Sequence, residues 1–406
     1  MNDIAPTVQV QRPKWPWRTC IYILVMLFLG ILLGIASYST GKQEDSRDYP
    51  ICGMWVVRDA MTSKEQIDHV FALAKELGLR DLMLQVNGRG EAYYNSNILP
   101  RAVLDFDPLA YAVSLGEKHD IAVHAWVNML TASSFLSRSK DPEHVINKHP
   151  EWITYDVSGR SLLTYEVLDI AEELSAIMLD PALPEVQDFL VTVCTEIVEN
   201  YTVDGLHLDY MRYPGHKYGF NPRVRQLYEE RFGVDPVVIE KRRFDPHYSA
   251  DRQLILWDSF RTEQLSTIVH RVYRETKGIN PQLQVSAAVT ANYAVASEIQ
   301  FQDWHEWVEQ GVVDFVVPMA YYLQPDDVYY KLKDAIAACG TGKIYAGVRA
   351  YELGDDPGLL KHLVKAALDT EPTGVILFSY NSLAEETKLQ DLILELQQEC
   401  LKRGEK

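Results

Sequence analysis

The stretch from Val203 to Pro214 reads Val-Asp-Gly-Leu-His-Leu-Asp-Tyr-Met-Arg-Tyr-Pro. It begins with apolar residues in alternation, as a short strand does. It ends on Asp209, Arg212, Tyr213 and Pro214, which are poor material for a strand interior. Such a tail suits a strand whose C-terminal end delivers charged and aromatic groups into a pocket. If Asp209 points inward, a period of two turns His207 and Gly205 inward as well. A carboxylate held ionised by a guanidinium can act as a nucleophile or base, and Arg212 is expected to depress the pKa of Asp209 in this way. The plainer reading is an ion pair that closes the end of a buried strand.

The elements that would position these groups recur along the chain. Short apolar segments lie at 52–57, 81–86, 121–127, 203–210, 283–289, 313–319, 343–348 and 374–379. Helical spacing of apolar residues fills most intervals between them, for example Ile67, Val70, Phe71, Ala74 and Leu77 after a cap at Thr62 or Ser63. The interval 129–184 reads as an extended loop over one face, and 215–250 as a second insertion. Eight strands alternating with helices predict an α/β chain folded as a (β/α)8 TIM barrel with long loop insertions over residues 51–406. An open doubly wound sheet is the alternative, but no Gly-rich phosphate turn follows the first strand.

A barrel collects its chemistry at the C-terminal ends of its strands. Those ends supply Gln85, then His124, Trp126 and Asn128, then His207, Arg212 and Tyr213. Later strands supply Tyr321 and Tyr322, Arg349 and Glu352, and Tyr380. Aromatic rings offer platforms for sugar rings, while amides, imidazoles and guanidinium groups serve hydroxyls. The mixture predicts a neutral polar and aromatic pocket. Hydrolysis of a glycosidic bond requires two carboxyl groups, one ionised and one protonated. Asp209 is the first. Glu91, in the loop past the second strand, ranks ahead of Asp303 and Glu352 for the other. Asp303 reads equally as a helix cap, and Trp126 as core packing. A metal site from His124, His207 and Asp209 lacks any HxH or HExxH spacing, so no metal or other cofactor is assigned.

The chain has 39 basic and 57 acidic residues, a net charge of −18. That balance argues against nucleic acid or an anionic membrane surface as partner. No charged residue occurs from Thr19 to Gly41, a run long enough to cross a bilayer. Trp15 and Trp17 precede it, with Arg12, Lys14 and Arg18 on the same side. The charge bias places residues 1–18 in the cytoplasm, a transmembrane helix or signal anchor at 19–40, a linker at 41–50, and the barrel in the periplasm or at the cell surface. A cleaved signal peptide ending near Ala36 is the alternative. The five cysteines form no CxxC pair.

Taken together, the motifs resemble the bacterial glycosyl-hydrolase-like 10 family. They are Gly53-Met-Trp-Val56, Gln85-Val86 with Glu91-Ala-Tyr-Tyr94, Asp107-Pro-Leu109, His124-Ala-Trp-Val-Asn128 and His149-Pro-Glu-Trp152. Leu179-Asp-Pro181, Asp204-Gly-Leu-His-Leu-Asp209 with Arg212-Tyr-Pro214, Gln302-Asp-Trp304, Pro318-Met-Ala-Tyr321 and Phe378-Ser-Tyr380 follow in order. The resemblance covers roughly residues 52–390. It implies an extracytoplasmic TIM-barrel glycosidase acting on bacterial polysaccharide, cell-wall glycan included. Two positions depart from the family: Glu91 stands where Asp is usual, and Met129-Leu130 follows Asn128 where Pro is usual. A membrane-tethered barrel that binds glycan without cleaving it is the rival expectation, since a fold does not fix a function. A metal-dependent hydrolase is a third.

Overall fold

The computed structural model describes residues 51–404 except 167–168, 170–173, 175, 246–251 and 354–355. The tail, membrane segment and linker expected at 1–50 lie outside the described residues. Among the described residues, no helix is long and apolar enough to cross a membrane.

Eight parallel strands form the barrel: β1 Ile51–Val56, β2 Asp81–Gly88, β3 Ala122–Asn128, β4 Gly205–Asp209, β5 Gln284–Thr290, β6 Phe315–Ala320, β7 Tyr345–Arg349 and β8 Gly374–Phe378. Spatial order follows chain order, and β1 pairs with both β8 and β2, which closes the sheet. The strands are buried nearly throughout because helices cover the outer face and side chains fill the inside.

The covering helices form where the apolar spacing places them. Lys64–Glu76 is capped by Ser63, whose hydroxyl accepts from the Gln66 N–H at 3.2 Å. Its inner stripe buries Ile67, Val70, Phe71 and Ala74. A fully buried Val, Ile or Phe contributes roughly 1.5–3 kcal/mol. Pro184–Asn200 and the long Arg252–Ile279 bury comparable stripes and pack on each other.

Register fixes the interior layers. His124 lies opposite Gly205, Trp126 opposite His207, and Asn128 opposite Asp209. Gly205 is required by its neighbour, since a Cβ there would lie 2.0 Å from His124 Nδ1. Gly347 makes comparable room, with its Cβ position 3.1 Å from the Trp55 ring and 2.9 Å from the Pro318 carbonyl.

The two insertions are more ordered than the sequence suggests. Within 129–184, Thr131–Ser133 pairs antiparallel with Ile177–Met178. Within 215–250, helices Pro222–Phe232 and Pro236–Glu240 form. Arg261, fully buried on the long helix, straps this second insertion down. It donates to the carbonyls of His216 (2.8 Å) and Tyr218 (3.2 Å), pairs with Asp258 at 2.7 Å and lies over the Phe301 ring at 3.8 Å. Glu240 and Arg243 complete the ion cluster.

Candidate active site

Strand β4 ends on Asp209 because Tyr210 turns the chain there, with a left-handed φ of 56°. The Tyr210 N–H donates to Asp209 Oδ1 at 2.6 Å. Trp126 Nε1–H donates to Asp209 Oδ2 at 3.1 Å from β3. The Arg212 guanidinium lies over the Tyr210 ring at 4.5 Å and brings one nitrogen to 3.6 Å from Asp209 Oδ1. That is an ion-pair distance, too long for a hydrogen bond.

Asp209 opens into a cavity of about 510 Å³ at the C-terminal mouth of the barrel. This is an ordinary size for a ligand site. Trp55, Trp126, Tyr210, Tyr321 and Phe378 give it aromatic walls. Arg58, Gln85, Arg89, Asn128, Thr131, Arg212 and Thr290 give it polar ones. Asn128 Oδ1, Thr131 Oγ1 and one Arg212 terminal nitrogen are buried without a hydrogen-bond partner among the described residues. Buried polar atoms rarely stay unpaired, so these are the groups a polar ligand would satisfy.

Burial raises the pKa of Asp209, and this effect exceeds the opposing ones from Arg212, the Tyr210 N–H and the Trp126 indole. The expectation that Arg212 would hold the carboxyl low is therefore corrected. Withdrawal from water costs the charged form more than a guanidinium 3.6 Å away returns. A carboxyl so placed is suited to carry a proton. The expected neutral pocket is corrected too, because three guanidinium groups line it.

Gln85, Trp126, Asn128, Arg212 and Tyr321 thus meet around Asp209. Other strand-end residues do not. His207 lies buried beneath, where Nε2 accepts from Trp55 Nε1 at 3.0 Å and Nδ1–H donates to Ser286 Oγ at 2.8 Å. Burial drives its pKa down to about 3, so it is neutral. His124 sits lower still, with Nε2 3.2 Å from Asp81 at the start of β2. Tyr213 is buried edge-on against Phe301. Tyr322 packs against the core outside the barrel. Arg349 braces two loops through the carbonyls of Tyr321 and Tyr351 and the Glu352 carboxylate at 3.2 Å. Tyr380 turns outward, its hydroxyl 2.7 Å from His69 Nδ1.

Of the expected second carboxyls, none lines the cavity. Asp303 caps helix Trp304–Glu309 by accepting from the Glu306 N–H, and it also accepts from the Tyr293 hydroxyl at 2.6 Å. The Glu352 side chain is 81% exposed. Glu91 sits on a two-residue strand, Glu91–Ala92, that folds back on β2 opposite Gly88, so it shares a hairpin with cavity-lining Arg89. Among the described residues, no cluster of three or more metal-ligating side chains occurs.

Sequence reasoning missed Trp55, Arg58, Thr131 and Phe378 as cavity residues. It also missed a positioning residue, Gln302. This fully buried amide accepts from the Thr290 N–H at 2.9 Å and donates to the Met211 carbonyl at 3.2 Å, which ties the loops after β4 and β5 together beside Asp209. Its signal was its place in Gln302-Asp-Trp304, a motif noted only for resemblance.

Residues 45–354 match the family described as Glycosyl hydrolase-like 10. The chain belongs to that family. Similar chains include Glycosyl hydrolase DigH of Escherichia coli, 25% identical over 382 residues, covering 84% of this chain and 74% of that protein. Another is Glycosyl hydrolase YngK of Bacillus subtilis, 20% identical over 340 residues, covering 75% of this chain and 60% of that one. Among solved structures, the glycoside hydrolase domain of PgaB from Bordetella bronchiseptica superposes with a TM-score of 0.65 at 16% identity. That match covers 85% of this chain and 98% of that domain, a likeness of fold. The barrel carries Asp209 at its C-terminal face, at the end of β4.

Proposed function

We propose that this protein is a glycoside hydrolase that cleaves a polysaccharide, bacterial cell-wall glycan being the foremost case. The single observation that carries the reading is Asp209. It is a buried carboxyl with a raised pKa, held by Trp126 and Tyr210 in an aromatic-walled cavity of the glycosidase-type barrel. In this reading Asp209 protonates the glycosidic oxygen as the bond to the anomeric carbon breaks. Glu91, on the hairpin beside Arg89, is the first choice for the second carboxyl, ahead of Asp303. Trp126, Tyr321 and Phe378 seat sugar rings, and Asn128 and Thr131 meet hydroxyls. The apolar run at 19–40 tethers the barrel outside the cytoplasm.

A non-catalytic glycan-binding barrel is the second reading. It is favoured by one observation: among the described residues, Asp209 is the single carboxylate lining the cavity. The test is release of new reducing ends from glycan strands by the full chain and by its Asp209→Asn variant. Release by the wild type alone supports hydrolysis. Binding without release by either supports the second reading.

A further inference from the structure

Two indoles line the cavity, Trp55 and Trp126, and strand β4 holds both. Trp126 gives its Nε1–H to Asp209 Oδ2, and Trp55 gives its own to His207 Nε2 at 3.0 Å. His207 and Asp209 are two residues apart, so both side chains turn into the barrel. Asp209 reaches the cavity, whereas His207 stops beneath it, fully buried. His207 is out of reach of a ligand, yet it grips a residue of the wall.

That grip has one hydrogen arrangement. An indole N–H only donates, so His207 Nε2 must accept and Nδ1 must carry the proton. Ser286 Oγ, on β5 directly opposite His207, accepts from Nδ1–H at 2.8 Å. A second proton on the imidazole would leave the indole without an acceptor. Burial, which drives the His207 pKa down to about 3, keeps that proton away. Trp55, His207 and Ser286 thus form one polar chain across the barrel interior, from β1 to β4 and β5.

Shape boxes the rest of the ring. A Cβ at Gly347 would fall 3.1 Å from Trp55 Cη2, so only glycine leaves the far edge its room. Tyr321 and Phe378 meet the indole edge-on, with centroids at 6.3 and 5.9 Å. Both also line the cavity, 5.5 Å from each other. A rotation of the Trp55 plane would therefore move the wall. The χ2 torsion of a tryptophan is broad by itself, and the hydrogen bond selects one setting of it. The surrounding layer is Met83, Trp126, Ala288, Val317 and Ile376. Apolar side chains in place of the imidazole and hydroxyl would fill such a layer with no partners to satisfy. What the polar chain adds is a unique orientation.

We propose that His207 is a positioning residue: through its bond to Trp55, in the tautomer fixed by Ser286, it sets the plane of the indole against which a sugar ring is seated. The inference rests on a glycan as the ligand of this cavity, which the hydrolase and binding readings share.

The test uses the full-length protein and peptide-free cell-wall glycan strands. Dissociation constants are measured by calorimetry in the Asp209→Asn background, KM and kcat with Asp209 intact, and Tm on every variant. His207→Gln offers an amide oxygen to Trp55 and an amide N–H to Ser286, so its affinity should stay within about threefold of the parent. His207→Leu has similar bulk and no acceptor. It should bind about tenfold more weakly or worse, the scale set by an unpaired buried donor. Its KM should rise in step while kcat holds within about threefold. Ser286→Ala, which removes one oxygen and frees the tautomer, should weaken binding by a smaller factor, and it carries the test if His207→Leu does not fold. Affinity and KM unchanged in the folded variants would overturn the proposal, as would equal losses in His207→Gln and His207→Leu. Strands that bind none of the proteins would overturn the glycan reading and this proposal with it. Binding that weakens in His207→Leu, beside a wild type that cleaves nothing, would support the positioning role and sink the hydrolase reading alone.

Discussion

Trp126 Nε1–H donates to Asp209 Oδ2 at 3.1 Å from the interior layer just below it, where Trp126 lies opposite His207. One residue is both wall and tuning device for the carboxyl. A hydrogen bond to a carboxylate favours its ionised form, so the indole opposes the burial that raises the pKa of Asp209. Arg212 opposes it in the same direction. If protonated Asp209 is the proton donor, activity falls as pH rises through its pKa, and that limb lies above the ordinary Asp range. Trp126→Phe and Arg212→Gln should each move the limb of kcat to higher pH. A limb that stays fixed, or moves down, in both pH–rate profiles would contradict the role.

The neutral imidazole of His207 makes a prediction about acid stability. Its folded pKa, about 3, lies below the usual histidine value, so the unfolded chain binds the extra proton first. The stability it contributes is full above about pH 6.5 and is lost as pH falls toward 3. His207→Gln should therefore flatten the fall in Tm between pH 6.5 and 4 relative to the wild type. Buried Asp180, raised to about 6, acts with the opposite sign in part of that window, which is why the comparison between variants is the informative one.

Gly205→Ala should be costly despite its single added carbon. The new Cβ would fall 2.0 Å from His124 Nδ1, and the ring is anchored by Asp81. Overpacking of this kind costs about 1–3 kcal/mol or more. Thermal unfolding of Gly205→Ala, and of its double variant with His124→Ala, checks this: the second change should return much of the loss.

The carboxyls away from the cavity separate cleanly. Asp303→Ala removes a helix cap and should cost about 1 kcal/mol while cleavage stays within threefold of the wild type. Glu91→Gln should lower cleavage about a hundredfold or more. Reducing-end assays on both, beside denaturant titrations, decide between them.

The barrel was legible in the sequence because eight short apolar segments alternate with helices, and register does the rest. Asp209, Trp126, Asn128 and Gln85 were legible as strand-end residues, and the structure brings all four to one cavity. Strand-end position does not tell which way a side chain turns. Tyr380 sits at such an end yet reaches outward to His69, and Arg349 spends its guanidinium on loop carbonyls. Trp55 and Phe378 were hidden inside apolar runs. Only the closure of β1 against β8 sets them opposite one another and exposes them to the cavity. Arg58 was hidden for a related reason, since nothing in its local sequence points toward Gln85. The buried cluster around Arg261 joins residues scattered from 240 to 261, so it appears in the sequence only as ordinary surface charge.

The central claim is that Asp209 performs chemistry. Its most direct test compares the full-length wild type with Asp209→Asn for release of reducing ends from peptide-free cell-wall glycan strands, with Tm measured on both. The wild type should release ends, and the variant should lose about a hundredfold or more of that rate with its fold intact. Release by the variant at the wild-type rate would contradict the account.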